Sequence, residues 1–332
     1  MRAAQSWTAP PARQRPVILM YHRIAEPDAD PWELCVAPQR FKRHLAFLQK
    51  AYHPLSVDEL VARIVARTVP DNAVAITFDD GYRDNVVIAK PLLEQAGVPA
   101  TFFLTTGAIG KGRPFWWDEL WALLCAGPPK AEFIMDVAGQ PLQVQWSDDQ
   151  PATKMCTPWR AGVEPQTGRQ RAYVLLWRNL KDLSPQSRDK ALKTLHEHLG
   201  GSATPTWSDL DLPMSLEDAG SLPSTCISVG GHARTHHPLV EFDPARRWQE
   251  ISGSRAEVAE QTGQLPTGFA YPHGNWNSET RTQVADAGYS WAVTTHRAAV
   301  MPKNCDPFAL PRLAVGDWSA EQLRDEMEAL RR

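Results

Sequence analysis

The chain has few cysteines and no paired cysteine motif. Its 332 residues include five cysteines, an odd number, and none of them belongs to a C-x-x-C pair. A disulfide framework is not expected, because disulfide-rich secreted domains pair an even number of cysteines at close spacing. We expect reduced and mostly buried thiols. The five are Cys35, Cys125, Cys156, Cys226 and Cys305.

Long apolar runs and an excess of positive charge are also missing. The first apolar run, residues 17–21, is too short to serve as an export signal or to span a bilayer. The formal net charge is −3, and Lys and Arg form no long run, which argues against a nucleic-acid partner. These absences predict a cytoplasmic protein without a transmembrane segment.

What the chain does contain is an alternation of short apolar runs and helical patterns. Strands are predicted at residues 17–21, 74–78, 100–105, 226–229, 268–271, 289–294 and 310–315. Helices are predicted at residues 38–50, 57–67, 85–95, 246–261 and 278–287. Strands that alternate with helices are typical of an α/β fold with a parallel sheet.

The alternation is interrupted between residues 108 and 213, a stretch far longer than an ordinary connection between a helix and a strand. We interpret it as a large, mainly helical insertion within a single domain of residues 1–332. Ser215 and Asp218 resemble a capping box that restarts the regular pattern. Residues 1–15 are rich in proline and are expected to be a loose N-terminus. Helical patterns inside the insertion lie at residues 116–125, 169–180 and 187–199.

Two adjacent carboxylates, Asp79 and Asp80, follow the predicted strand at residues 74–78. Residues at the carboxyl ends of parallel strands line the sites of α/β proteins. In a plain turn the first Asp would cap a helix and Gly81 would supply a positive φ. A second adjacent acid is costly without a cation, however, so we favour a metal site. Successive side chains diverge at a strand end, and one carboxylate can bind an ion while its neighbour accepts a proton.

Two histidines, His232 and His236, stand four residues apart after the predicted strand at residues 226–229. One turn of chain can aim both imidazoles at a single ion. An Asp with two His leaves coordination positions open for water and substrate, as a hydrolytic metal centre requires. A lone histidine is more often an ordinary polar residue. His237 must point elsewhere, and we assign it a structural or surface role.

Other patterns carry less chemistry. Gly110-Lys111-Gly112 lacks the Ser or Thr that follows the Lys of a Walker A phosphate loop, so we interpret it as a plain loop. The chain has 13 tryptophans, some of which could stack on sugar faces, although core packing explains most tryptophans in any protein. The candidates for stacking are Trp116, Trp117, Trp121, Trp276 and Trp318.

Taken together, these motifs resemble the polysaccharide deacetylase family, also described by its NodB homology domain and as carbohydrate esterase family 4. Residues 77–81 match its T-F-D-D-G motif. His232 and His236 match its H-[ST]-x-x-H motif, with Ala233 in place of the usual Ser or Thr. Residues 269–274 resemble its third motif in the F-A-Y-P form. The resemblance covers residues 16–107 and 213–320 and leaves the insertion aside.

The resemblance implies a distorted (β/α) barrel with about seven parallel strands, fewer than the eight of a TIM barrel. It further implies a divalent metal ion held by Asp80, His232 and His236. Zinc is the most common ion, with Co2+, Ni2+, Fe2+ or Mn2+ as alternatives. Asp79 then takes the proton of the attacking water, and the backbone N–H of Tyr82 holds the oxyanion.

Two further roles of the family fall on positions where this chain departs from the usual motifs. Many members carry an Arg that orients the catalytic Asp where this chain has Ala270, and Arg312 is the substitute candidate. The late L-x-x-H motif is not evident, but Met20-Tyr21-His22 matches an M-Y-H form, which makes His22 the candidate acid for the leaving group. His296 is the alternative acid. The substrate-contact candidates are Tyr271 and Trp276.

The leading hypothesis is a metal-dependent N-deacetylase acting on an amino sugar of a surface polysaccharide or its precursor. With no export signal recognised, we expect a cytoplasmic carbohydrate substrate, such as a lipid-linked oligosaccharide at the inner face of the membrane. One alternative is an amidase or deformylase that hydrolyses another C–N substrate. A sugar-binding barrel without turnover is the alternative from a different class of protein.

Overall fold

The computed structural model describes residues 15–27, 29–147, 159–201 and 207–332. Residues 1–14 of the predicted loose N-terminus lie outside these ranges, as does Cys156. Cys35, Cys226 and Cys305 are free thiols, as expected, but of these only Cys35 is buried. Among the helices in these ranges, none has the length and apolar character required to cross a bilayer.

A parallel sheet forms the centre of the fold. The strands of the described residues are, in chain order, β1 Val17–Tyr21, β2 His53–Pro54, β3 Ala73–Phe78, β4 Ala100–Leu104, β5 Lys130–Val137, β6 Gln140–Ser147, β7 Ile227–Gly231, β8 Gly268–Ala270, β9 Trp291–Val293 and β10 Leu313–Ala314. Seven of them follow one another in the order β10, β1, β3, β4, β7, β8, β9, and β2 pairs with the start of β3. All pairings within this sheet are parallel.

The sheet curls until its two ends approach each other. At one end, Leu313 of β10 pairs with Leu19 of β1, and at the other, Leu310 forms a parallel bridge with Val293 of β9. Every residue of β1, β3 and β4 is buried, as expected for parallel strands covered on both faces. The predicted distorted (β/α) barrel with about seven parallel strands is therefore confirmed.

Helices surround the sheet at nearly the predicted positions. In chain order they are α1 Pro38–Ala51, α2 Val57–Ala66, α3 Lys90–Ala96, α4 Trp116–Ala126, α5 Gly168–Leu180, α6 Pro185–His198, α7 Leu216–Ser221, α8 Pro244–Thr262, α9 Ser278–Asp286 and α10 Ala320–Arg331. The predicted helix at residues 85–95 divides into a π-helical turn, Asn85–Ala89, followed by α3. The capping box of Ser215 and Asp218 does begin α7. Helix α10 was not predicted.

The segment of residues 108–213 contains α4, α5 and α6, close to the three helical patterns predicted there. It also contains the antiparallel hairpin of β5 and β6, which the sequence pattern did not reveal. The two ends of the segment meet, since the Gly110 N–H donates to the Met214 carbonyl over 2.8 Å. Aromatic and leucine side chains give the segment a hydrophobic core of its own, and Tyr82 from the barrel packs into that core.

Candidate metal centre and catalytic cleft

Three ligand atoms meet at the carboxyl ends of β3 and β7. Asp80 follows β3, and His232 and His236 follow β7. Their ligand atoms all lie within 4.8 Å of one another, and all three side chains are buried. Asp80 Oδ1 lies 3.5 Å from His232 Nε2 and 3.2 Å from His236 Nε2. These separations suit a shared ion, because tetrahedral bonds of about 2.0–2.1 Å place neighbouring ligand atoms about 3.3 Å apart.

The hydrogen bonds of these residues also fit a cation. The His232 Nδ1–H donates to the Ala270 carbonyl over 2.8 Å, so that Nε2 keeps its lone pair for the centre. Asp80 Oδ1 is buried and makes no hydrogen bond of normal geometry among the described residues, although both Nε2 atoms lie within 3.5 Å of it. A buried carboxylate oxygen without a donor is unusual and calls for another positive partner. The Asp80, His232 and His236 set could therefore hold a metal ion.

The backbone around these residues adopts an uncommon conformation. Asp80, Ala233, His236 and His273 have positive φ values of 75°, 58°, 54° and 56°. Non-glycine residues in this region cost of order 1 kcal/mol or more, and they cluster at functional sites. Hydrogen bonds hold these turns in place, and one of them runs from the Thr105 N–H to the Asp80 carbonyl. The rest of the fold thus maintains the arrangement of the ligands.

Asp79, the neighbour of Asp80, is held by Arg312. Both side chains are buried, with exposed fractions of 2% and 0%. Arg312 Nη1 and Nη2 each donate to one carboxylate oxygen of Asp79 over 2.7 Å, which makes a bidentate pair. Arg312 also donates to the hydroxyl of Thr77 and to the carbonyl of Thr294. The guanidinium therefore fixes the orientation of the Asp79 carboxylate, and Ala270 contributes no side chain to this task.

The ionisation of the two aspartates follows from these contacts. Burial raises the pKa of Asp79, but the Arg312 charge and its hydrogen bonds outweigh burial and hold that pKa below its ordinary value. Burial likewise opposes ionisation of Asp80, yet His236 and His232 hold the pKa of Asp80 well below its ordinary value. Both carboxyl groups are therefore anionic at neutral pH.

Tyr82 lies two residues after Asp80, is not among the residues that line the cleft, and packs its side chain into the core of the insertion. Its ring is buried, its hydroxyl donates to Asp118 over 2.7 Å, and the hydroxyl accepts a bond from Trp117 Nε1 over 2.8 Å. Tyr82 forms an antiparallel bridge with Pro213 whose hydrogen bonds come from the flanking residues, so the bridge does not use the Tyr82 N–H. The two residues at the start of α4 thus anchor the candidate oxyanion residue.

An open cleft of about 250 Å³ lies over the centre, and both aspartates and both histidines line it. His22 lines the same cleft at the end of β1. His296 is exposed and is not among the residues that line the cleft. The geometry therefore brings His22, but not His296, to the same space as Asp79.

Aromatic side chains from distant parts of the chain form the walls of the cleft. Trp117 and Trp177 come from α4 and α5 of the insertion, and Trp32 from the connection between β1 and α1. The rings of Trp32 and Trp177 lie 4.5 Å apart between centroids. Tyr271 and His273 line the cleft from the loop after β8, and Leu34 and Thr295 also contribute to the lining. Sequence reasoning had not singled out Trp32, Trp177 or His273.

The remaining candidates lie elsewhere. Trp276 is 39% exposed, stacks on Tyr271 with centroids 6.1 Å apart, and does not line the cleft. Trp116 is buried under the Arg188 guanidinium, and Trp318 packs on the barrel core, so both are packing residues. His237 is buried and stacks on Phe242, which is the structural role rather than the surface role.

A family model and a relative with the same description match parts of this chain. The family model for polysaccharide deacetylase matches residues 66–129 and 218–292. YxkH of Bacillus subtilis, whose name designates it provisionally as a polysaccharide deacetylase, is 36% identical over 95 residues. That alignment covers 28% of this chain and 33% of YxkH, so it spans about a third of the relative's length.

Solved structures share the fold over nearly the whole chain. The deacetylase PplD of Streptococcus pyogenes, solved in complex with acetate, has a TM-score of 0.58 at 19% identity and covers 94% of this chain and 98% of its own. IcaB from Ammonifex degensii has a TM-score of 0.57 at 16% identity, with coverage of 95% and 97%. Identities this low establish similarity of fold alone.

Proposed function

The chain belongs to the polysaccharide deacetylase family, and from that premise we propose that it hydrolyses the N-acetyl group of an amino sugar in a surface polysaccharide or its precursor. The observation that carries this proposal is the Asp79 carboxylate, held by Arg312 directly beside the Asp80, His232 and His236 set. A base next to a cation site is the arrangement that water-dependent cleavage of an amide requires.

We assign the metal ligands as Asp80, His232 and His236, and zinc as the ion. Imidazole nitrogens and a carboxylate oxygen suit zinc, and Co2+, Ni2+, Fe2+ or Mn2+ accept the same ligands. When bound, the ion supplies Lewis-acid polarisation of the acetyl carbonyl and acidifies water beside it. Two imidazoles and one carboxylate leave room for both water and substrate.

In this mechanism Asp79 is the general base. Arg312 keeps its carboxylate ionised and fixed in the lining of the cleft, where it can accept a proton from water that attacks the acetyl carbonyl. The carbonyl oxygen gains negative charge as the water adds. The Tyr82 N–H, which is free of the pairing with Pro213, donates to that oxygen and stabilises the charge.

The second half of the reaction needs a proton on the amine nitrogen. We assign this proton to His22, which lines the cleft together with Asp79. When the nitrogen is protonated, the C–N bond breaks, and the products are acetate and a free amino sugar. His296 is less suitable, because it lies exposed and outside the lining of the cleft.

The aromatic walls support a carbohydrate substrate. Sugar rings present C–H faces that pack on aromatic rings, and Trp32, Trp117 and Trp177 offer such faces beside the centre. Two of the three come from the insertion, so we propose that the insertion grips the glycan. Tyr271 also lines the cleft, and Trp276 extends the aromatic surface beyond it.

The decisive experiment is acetate release from N-acetylglucosamine oligomers by the purified protein, with and without a chelator. We expect release that the chelator stops and that added zinc restores. Asp79→Asn should abolish release while metal content, measured by elemental analysis, stays unchanged. Loss of metal in this variant would mean that the roles of Asp79 and Asp80 are reversed.

A metal-loaded protein that releases acetate from no acetylated glycan would refute the deacetylase proposal. Release of formate or ammonia from other amides would then favour the amidase alternative. Glycan binding without turnover of any kind would favour a sugar-binding barrel.

A further inference from the structure

A second groove lies behind the catalytic cleft, between the loop after β4 and helices α4 and α6. Its volume is about 350 Å³. Trp117 and His236 line both spaces, so the groove and the cleft lie on two sides of these side chains. The charged residues that line the groove are Lys111, Arg113, Arg188, Arg234 and Asp189.

Arg188 is the unusual member of this lining. Its exposed fraction is 3%, and no carboxylate lies within ion-pair distance of it among the described residues. Its Nε and Nη2 donate to main-chain carbonyls, and Nη2 also lies 3.5 Å from His237 Nδ1. Its guanidinium lies 4.7 Å from the Trp116 ring centroid, and its Nη1 has no acceptor in the described part of the chain. Burial lowers its pKa to about 10, so it remains charged at neutral pH. A buried charge without a carboxylate in direct contact is costly. Among the described residues Asp189 and Asp182 act on Arg188 only from a distance, which points to a closer counter-ion from outside the chain.

The other cations of the groove differ in their partners. Arg113 and Arg234 are neutralised by carboxylates within the described residues. Lys111, in contrast, is exposed and has no ion pair among the described residues. It belongs to the loop Gly110-Lys111-Gly112, which is not a Walker A motif but does bring its ammonium group to the groove. Lys111 and Arg188 are thus the two cations available to a ligand. The carboxylate partners are Glu119 and Asp189 for Arg113, and Glu257 for Arg234.

The start of α4 adds hydrogen-bond donors to the same groove. Phe115, the N-cap residue of this 11-residue helix, provides no side-chain cap, and Phe115, Trp116 and Trp117 all line the groove. Uncapped N–H groups at a helix start bind anions, helped by the positive end of the helix dipole. Thr105, which is 2% exposed, and Thr235 also line the groove, and their hydroxyls have no partner among the described residues.

We propose that this groove binds an anionic oxygen group carried by the substrate, a phosphate or a carboxylate, while the acetamide lies beside Asp79. Lys111, Arg188 and the start of α4 would provide its donors. The two spaces are neighbours, since Trp117 and His236 line both, and a ligand that occupies both would have to extend past these two side chains. This inference rests on the proposed function and narrows its substrate to a negatively charged N-acetylated glycan.

Binding of inorganic phosphate and of acetate, measured by titration calorimetry at constant ionic strength, tests the groove without turnover. Lys111→Gln should weaken binding of the preferred anion by about threefold, the effect of one exposed charge. Asp189→Asn should tighten it, because Arg113 loses one of its two acidic partners. Lys190→Gln is the matched control, an exposed lysine on α6 that does not line the groove.

The proposal would be overturned if all three variants bound phosphate as tightly as the unmodified protein does, and acetate likewise. The anions would then bind elsewhere. Arg188→Lys offers a second test, because it keeps the charge but loses the planar guanidinium. It should weaken binding by about tenfold. An anion affinity unchanged by this substitution in a folded protein would also overturn the proposal. The anion whose binding depends on Lys111 identifies the chemical group.

Turnover separates this inference from the proposed function. We expect an N-acetylglucosamine oligomer that carries a phosphate or carboxylate to have a higher kcat/KM than its neutral counterpart, and Lys111→Gln to reduce that ratio. Deacetylation of neutral and anionic oligomers at equal rates, indifferent to Lys111, would refute the groove and leave the deacetylase intact. Lys111-dependent phosphate binding without any acetate release would refute the deacetylase and leave the groove intact.

Discussion

Replacing Arg312 with methionine tests whether the buried ion pair holds the Asp79 carboxylate in place. Arg312 is fully buried and makes two of its hydrogen bonds to Asp79, each 2.7 Å long. Methionine fills part of the volume of the arginine side chain but leaves the carboxylate without a counter-ion. Removing one partner of a buried pair costs about 3–5 kcal/mol, because the other charge stays buried. We expect the free energy of unfolding of Arg312→Met to fall by that amount.

The assay is urea unfolding at pH 7 in the presence of a chelator, so that bound metal does not add to the measured free energy. Arg331→Met is the matched control. Arg331 is also buried, at 5% exposure, but it donates to Asn72 and to the Ala73 carbonyl and has no carboxylate partner among the described residues. Its loss should cost about 1 kcal/mol.

A double substitution separates the cost of the unpaired charge from the cost of lost packing. Adding Asp79→Asn to Arg312→Met removes the stranded charge and should recover about 2 kcal/mol. An Arg312→Met protein that loses no more stability than Arg331→Met would contradict the argument. So would a double variant that recovers nothing, since the cost would then come from packing alone.

Three further outcomes are expected. His22→Ala should lower kcat about 100-fold with unchanged metal content, whereas His296→Ala should have little effect; equal losses would remove the acid role from His22. His236→Ala should lose the metal, read by elemental analysis, while His237→Ala keeps it; loss in both would point to a general collapse of the loop. Burial raises the pKa of Asp118 to about 7. Because this folded pKa exceeds that of the unfolded chain, the stability contributed by Asp118 is complete at acid pH and is lost as the pH rises through 7. Between pH 5 and pH 8, the free energy of unfolding of Asp118→Asn should therefore fall by about 1–2 kcal/mol less than that of the unmodified protein, as measured by urea unfolding at each pH. Identical pH dependence of the two free energies would contradict this.

The group of residues at the candidate metal centre could be predicted because each motif is short. Two adjacent acids at a strand end and two histidines four residues apart need no information from the rest of the chain. Arg312 could be named only as a substitute, because its contact with Asp79 joins positions 233 residues apart. Trp32 and Trp177 were missed for the same reason, since nothing near either residue indicates that their rings meet.

The β5–β6 hairpin and helix α10 were missed for local reasons. The hairpin of β5 and β6 turns through Ala138 and Gly139, both with positive φ. Asn or Asp is the usual first residue of such a turn, so alanine conceals it. Helix α10 carried a usable signal, a capping box of Ser319 and Gln322 ahead of buried Leu323, which the sequence analysis did not use.

The hydrogen bond between Gly110 and Met214 has a consequence for how this protein can diversify. The chain leaves the barrel and returns to it at neighbouring points, so the intervening segment is an insertion with adjacent ends. Segments whose ends meet can be lengthened, shortened or exchanged at little cost to the host domain. Trp117, Trp177 and Arg188 belong to that insertion. Asp79, Asp80, His232 and His236 belong to the barrel. Evolution or engineering can therefore change which glycan the insertion binds and leave the barrel residues assigned to the reaction unchanged.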